Sequence, residues 1–137
     1  MYYHAIPRSD AYKELFATII YIVKTFRRKG CLWEYIGDDK IKTGFESSRN
    51  IITTAVKLIC DGVSDAIFKA ILEIALIKSL CNNTDMTELE INELALSKEL
   101  VYYVRSNDPD SIYALLGYFC TDAVRNELTP AFDWADS

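Results

Sequence analysis

The chain has very few of the residues that most catalytic and metal sites need. Among its 137 residues there is one histidine, His4, and no two cysteines form a Cys-x-x-Cys pair. A metal centre normally uses closely spaced histidine, cysteine or carboxylate ligands, and histidine-dependent nucleophilic catalysis would have to use His4, close to one end. We therefore expect no metal site, no cofactor and no enzymatic activity.

Glycine and proline are scarce, with five and three residues, and the glycines are scattered. Neither a phosphate-binding loop nor a dinucleotide-binding fingerprint can be formed from them. No segment alternates apolar and polar residues over the length of a strand, which is the pattern of a half-buried sheet. The fold class predicted from these absences is all-α.

Long apolar runs are also lacking. The most apolar stretch, 66–81, contains Lys69, Glu73 and Lys78 and is shorter than the ~20 residues that a membrane-spanning helix requires. The first residues are polar and do not resemble a signal peptide. These features predict no integral membrane anchor and an intracellular location.

The chain has fewer basic than acidic residues, 15 against 20, and its net charge is −5. Such a chain repels a phosphate backbone, so nucleic acid is not expected as a partner. The four cysteines, at 31, 60, 81 and 120, each lie in or beside an apolar run. Since a domain of this size does not need disulfides, we expect reduced, buried thiols.

What the sequence does contain is apolar residues at helical spacing. They predict helices over 9–29, 49–60, 65–80 and 87–105, a weaker helix over 32–42, and a last helix from 109 to about 126. Ser9 or Asp10, Ser47 or Ser48, and Ser64 are placed to cap three of these helices. Because the segment at about 65–80 is apolar nearly all round, we expect it to be the central helix of a single domain.

The junction before this segment reads Leu58-Ile59-Cys60-Asp61-Gly62-Val63. It resembles the first homology motif of the Bcl-2 family of apoptosis regulators, with which it shares Asp-Gly-Val. Lys29-Gly30-Cys31-Leu32-Trp33 is similar to the end of that family's first helix, and Trp33 with Gly37-Asp38 is similar to its third motif, although Trp33 cannot serve both matches. The compact length is similar to that of prosurvival homologues carried by large DNA viruses.

The resemblance implies a Bcl-2-like helical bundle whose hydrophobic groove sequesters BH3 helices of pro-apoptotic proteins. The groove residues that it implies are Phe45, Ile52, Ala55, Leu58, Asp61, Gly62, Ser64, Ala66, Ile67, Ala70 and Ile74. Leu58 and Ala70 fall where the family has groove-floor residues. Ile67 stands where prosurvival members have an arginine that pairs with a ligand aspartate, so narrow ligand selectivity is expected.

Other interpretations stay open. Each apolar groove residue is also explained by core packing, and Asp61 by a helix end or turn. A virus-encoded immune modulator that binds innate-signalling adaptor proteins through another surface is the alternative function, and a pore-forming death effector is disfavoured because no apolar tail follows Asn126. We further expect a homodimer, and a location in the host cytoplasm with access to mitochondria only through a partner.

Overall fold

The protein is described by a computed structural model over residues 8–132. The α-helices of this range are α1 (Lys13–Lys29), α2 (Trp33–Ile36), α3 (Glu46–Cys60), α4 (Asp65–Asn82), α5 (Glu88–Arg105), α6 (Pro109–Phe119) and α7 (Asp122–Leu128). Short 3-10 turns lie at Asp10–Tyr12, Asp38–Lys40 and Thr129–Phe132. No strand is present between residues 8 and 132, which confirms the all-α class.

Short polar side chains begin several helices, and Ser9 and Ser64 are the two of them that the sequence predicts. The Ser9 hydroxyl accepts a hydrogen bond in the turn before α1, and the Ser64 and Thr87 hydroxyls cap α4 and α5. Asp108 caps α6, and Pro109 is its first helical residue. Each of these groups satisfies an N–H that has no partner inside the helix.

Two predicted helix boundaries are wrong. The residue before α3 is Phe45, so neither Ser47 nor Ser48 is the N-cap. The helix predicted from 109 to about 126 is divided into α6 and α7, because Cys120 is extended and the Thr121 side chain caps a new helix. Apolar spacing alone does not reveal this break, because the stripe resumes on the same side of the chain.

The prediction that the apolar segment at 65–80 forms the central helix is also wrong. The central helix is α5, which packs against α1, α3, α4 and α6. Of α4, only Phe68 and Leu72 are fully buried. The reason is a lack of neighbours, since α4 packs mainly on α3 and α5. Within the described range, no helix combines the length and apolarity needed to cross a membrane.

A buried carboxylate joins the two most closely packed helices. Glu93 of α5 is 1% exposed, and its two oxygens accept hydrogen bonds from the backbone N–H groups of Gly44 and Phe45, each at 3.0 Å. These donors lie at the N-terminus of α3, where the helix dipole favours a negative charge. A side chain on Gly44 would place its Cβ 2.8 Å from Glu93 Oε2, so the Glu93 carboxylate would have to shift to admit it.

Replacing Glu93 tests this connection. Glu93→Gln retains the shape, but its NH2 group faces one of the two N–H donors, so we expect the free energy of unfolding to fall by about 1–3 kcal/mol at neutral pH. Urea denaturation followed by circular dichroism measures the change. An unchanged value would contradict a structural role for the carboxylate.

The pH dependence gives a second readout of the same variant. Burial raises the pKa of Glu93 above its ordinary value of 4.5, while the backbone hydrogen bonds from Gly44 and Phe45 oppose the rise. The folded state therefore holds this proton more tightly than the unfolded state, and the resulting stabilisation is present below pH 4.5 and lost as the pH rises through the folded pKa. Relative to Glu93→Gln, the native chain should lose stability as the pH rises above about 4.5.

Candidate binding surface

One side of α4 presents apolar side chains to solvent. We call this side the outer face; it comprises Ile67, Ala70, Ile71, Ile74, Ile77 and Cys81, all of which are exposed. Ile67, Ile74 and Ile77 retain 50%, 53% and 50% of their accessible surface. Monomeric proteins seldom leave a contiguous apolar strip of this kind uncovered, so the outer face is the candidate binding surface.

The opposite side of α4 holds the helix against α5. Phe68 is completely buried, and its ring lies 5.9 Å from that of Tyr102 and under the guanidinium of Arg105. Arg105 also binds Asp65 at 2.9 Å and donates to the carbonyl of Val63. These contacts anchor the first turns of α4, and they fix which side of the helix faces outward.

A second ion pair fixes the middle of α4. Lys98 of α5 lies 2.5 Å from Glu73 Oε2, and the Lys98 side chain is only 18% exposed. Its ammonium group also lies 5.3 Å from the centre of the Tyr102 ring. Because both ends of this bridge are on helices, α4 cannot rotate about its axis without breaking it.

The turn that carries the Asp-Gly-Val motif has a structural explanation. Gly62 has a φ of +70°, its N–H donates to the carbonyl of Ile59 at 3.0 Å, and the N–H of Val63 donates to the carbonyl of Leu58 at 3.4 Å. This pair of bonds is the Schellman motif that ends many helices, with an apolar contact between the residues at Leu58 and Val63 typical of it. Glycine is required here by the backbone, whatever the turn binds.

The residues that the resemblance placed in a groove are found in different environments. Ile52 and Ala55 are completely buried in the core, so a ligand cannot contact them in this conformation. Phe45 and Leu58 are partly buried. The exposed members are Asp61, Gly62, Ser64, Ala66, Ile67, Ala70 and Ile74. Of these, Ile67, Ala70 and Ile74 lie together on the outer face.

Three members of the outer face were not identified from the sequence, namely Ile71, Ile77 and Cys81. Ile77 and Cys81 are identified by continuing the 67, 70, 74 spacing at intervals of three and four residues, and Ile71 by its place four residues after Ile67. That spacing was hidden because the inner side of the same helix is apolar too.

Two clefts lie away from this surface. One, of about 240 Å³, is lined by α1 and the segment before α3, including Thr18, Tyr21 and Lys42. The other, of about 280 Å³, lies at the C-terminal ends of α1, α3 and α5, next to Cys31 and Arg105. Neither cleft is lined by a residue of the predicted groove.

The cysteines differ from the expectation of four buried thiols. Cys120 is buried and Cys60 is partly buried, but Cys31 and Cys81 are exposed. Burial raises the pKa of Cys120 to about 12 and that of Cys60 to about 11, which leaves little reactive thiolate in either. Over the described residues, no group of three or more potential metal ligands comes together, and His4 lies outside that range.

Comparison with known proteins gives no further guide to the surface, because no protein-family model, no curated protein and no solved structure matches the chain.

Gly62→Ala tests the structural explanation of the motif. No atom lies within 4 Å of the added Cβ, so the effect is purely one of backbone conformation at positive φ. We expect the free energy of unfolding to fall by about 1 kcal/mol. Thermal and urea denaturation measure it.

Gly117→Ala is the matched control. Gly117 lies inside α6, and its added Cβ would meet Arg125 at 3.8 Å, an ordinary contact. Since alanine favours a helix more than glycine does, this variant should be unchanged or more stable by up to about 1 kcal/mol. Equal losses in both variants would argue against a special requirement at Gly62.

Proposed function

We propose that the chain is a Bcl-2-like prosurvival protein, of a virus-encoded type, that sequesters amphipathic BH3 helices of pro-apoptotic proteins. We place the bound helix on the outer face of α4. The observation that supports the proposal is the exposure of Ile67, Ala70 and Ile74, which the resemblance assigned to the groove and which share one uncovered strip. The activity follows from binding alone, since a sequestered BH3 helix cannot engage its own targets.

The dimensions of the outer face suit a helical ligand. α4 has 18 residues and is therefore about 27 Å long, which matches several turns of a partner helix. Its exposed side chains recur at intervals of three and four residues, the spacing of the apolar anchors on an amphipathic helix. Because Ala70 lies between the half-exposed Ile67 and Ile74, its small side chain leaves a shallow depression that can accommodate a larger side chain of the ligand.

A cation beside this face is available to the ligand. Lys78 lies on the same side of α4 as Ile71 and Ile74, and within residues 8–132 no carboxylate forms a salt bridge with it. Lys69, by contrast, is paired with Asp65 at 3.1 Å. We infer that Lys78 takes the part of the arginine that Ile67 replaces. A flexible ammonium binds a carboxylate without the paired geometry of a guanidinium, so we expect this contact to be weaker than the one that an arginine makes.

The second candidate function is the binding of innate-signalling adaptor proteins. The burial of Ile52 and Ala55 favours it, because two residues of the expected groove are unavailable to any ligand. In either case we place the protein in the host cytoplasm, with contact to mitochondria only through its partner.

A panel of fluorescent BH3 peptides separates the two candidates. Polarisation titrations against the pure chain should give micromolar or tighter dissociation constants for one or a few peptides. Ala70→Glu should weaken that binding by about two orders of magnitude, since it buries an unpaired carboxylate at the contact.

Ala114→Glu is the matched control, since Ala114 is exposed on α6. It should bind like the native chain, and both variants should keep their helicity because neither site is buried. Absence of binding across the panel at tens of micromolar would overturn the BH3 proposal and leave the adaptor candidate. Retained affinity in Ala70→Glu would move the site away from the outer face.

A further inference from the structure

Five exposed residues of α4 follow a heptad pattern. Ile67, Ala70, Ile74, Ile77 and Cys81 are separated by three, four, three and four residues, which makes them the a and d positions of a coiled-coil seam. They span two full heptads of a helix 18 residues long. A ligand helix needs only a few such anchors, whereas a seam that runs the length of the helix matches a second helix of the same pattern.

The seam lies opposite the side that packs on the protein's own core. Phe68, Leu72 and Leu76, which pack in or against the core, occupy b, f and c positions of the same heptads. A helix that faced only its own core would need apolar residues on that side alone. The seam therefore has no intramolecular explanation among the described contacts, in which α4 packs chiefly on α3 and α5.

We propose that a second copy of this chain covers the outer face, and that the two α4 helices run parallel and in register. Each seam residue then packs against its own equivalent in the partner, which is the self-complementary arrangement that a two-fold axis requires.

The charges that flank the seam determine the orientation. Glu73 occupies a g position and Lys78 the following e position, and in a parallel pair these two side chains meet across the interface, once on each side. In an antiparallel pair g faces g and e faces e, so Glu73 would meet Glu73 or Leu80, and Lys78 would gain no opposite charge. Glu73 binds Lys98 through Oε2, and its side chain remains 53% exposed.

The size of the face predicts a weak dimer. A strip about 27 Å long and about 10 Å wide on each copy is smaller than the roughly 800 Å² per partner of a standard protein interface, so the affinity must be low. We therefore expect a dissociation constant in the micromolar range. The same strip is the proposed BH3 site, so the dimer closes that site until a ligand displaces one copy; this regulatory consequence rests on the proposed function, whereas the dimer does not.

Sedimentation equilibrium of the full chain over a concentration series tests the association. The native chain should pass from monomer to dimer in the micromolar range. Ile74→Glu should weaken the dimer at least about 100-fold without changing the helicity, because Ile74 is half-exposed in the monomer. Ile91→Glu, at an exposed isoleucine of α5, should behave like the native chain. A monomer at every concentration, or an unaffected dimer in Ile74→Glu, would overturn the proposal.

Cys81 tests the orientation. In a parallel, in-register pair, Cys81 meets its equivalent at the end of the seam, and diamide, which takes up the two thiol hydrogens, should join the copies by a disulfide. In a Cys31→Ser background, the covalent dimer should form at micromolar chain, disappear in Cys81→Ser, and fall sharply in Ile74→Glu. A reversible dimer that diamide does not cross-link through Cys81 would overturn the parallel arrangement.

The two proposals fail separately. A dimer that binds no BH3 peptide overturns the proposed function and supports this inference. A chain that binds the peptide but stays monomeric supports the proposed function and overturns this inference. If both hold, BH3 peptide should dissociate the dimer, and the apparent affinity for peptide should fall as the chain concentration rises.

Discussion

The fold depends on the buried carboxylate of Glu93. It accepts hydrogen bonds from the N–H groups of Gly44 and Phe45 at the start of α3, and so joins that helix to the central helix α5. A buried charge without such partners would be strongly unfavourable, and the N-terminus of α3 would lack acceptors for its donors. The N–H groups therefore stabilise the buried carboxylate, and the carboxylate supplies the acceptors that the N-terminus of α3 needs. The same hydrogen bonds fix the position of α3, which carries Ile52 and Ala55, relative to α5.

The position of α4 follows from that of α3. The Schellman turn at Gly62 sends the chain back from the end of α3, and Arg105, at the end of α5, binds both the turn carbonyl of Val63 and the first residue of α4, Asp65. Further along α4, the ion pair between Glu73 and Lys98 joins α4 to α5 a second time. The seam of isoleucines is exposed because these polar bonds and the burial of the inner side fix the rotation of α4.

Several helix ends were predictable from the sequence, but the start of α3, the break between α6 and α7, and the burial of side chains were not. The ends at Ser64, Thr87 and Pro109 depend on contacts within a few residues, so local patterns identify them. Whether an apolar residue of α4 is covered depends on which helices reach it, and α4 packs mainly on α3 and α5, which lie on one side of it. Glu93 is the converse case, a charged residue that is buried. Beside Glu88 and Glu90 its sequence context is that of a solvated acidic cluster, and only the position of α3 reveals its partners. Of the predicted site, Ile67, Ala70 and Ile74 came together, while Ile52 and Ala55 belong to the core.

The Asp-Gly-Val turn is weaker evidence for the function of the protein than the outer face is. Gly62 has the positive φ that the Schellman motif needs, and Leu58 and Val63 pack against the core, so the fold alone accounts for most of that match. No comparable structural requirement accounts for the isoleucines of the outer face, since Ile67, Ile74 and Ile77 leave about half of their side chains in solvent. An apolar seam of this length is favoured only if something covers it. The functional proposal and the dimer therefore rest on Ile67, Ile74 and Ile77, because the fold explains why these positions are exposed but not why they are apolar.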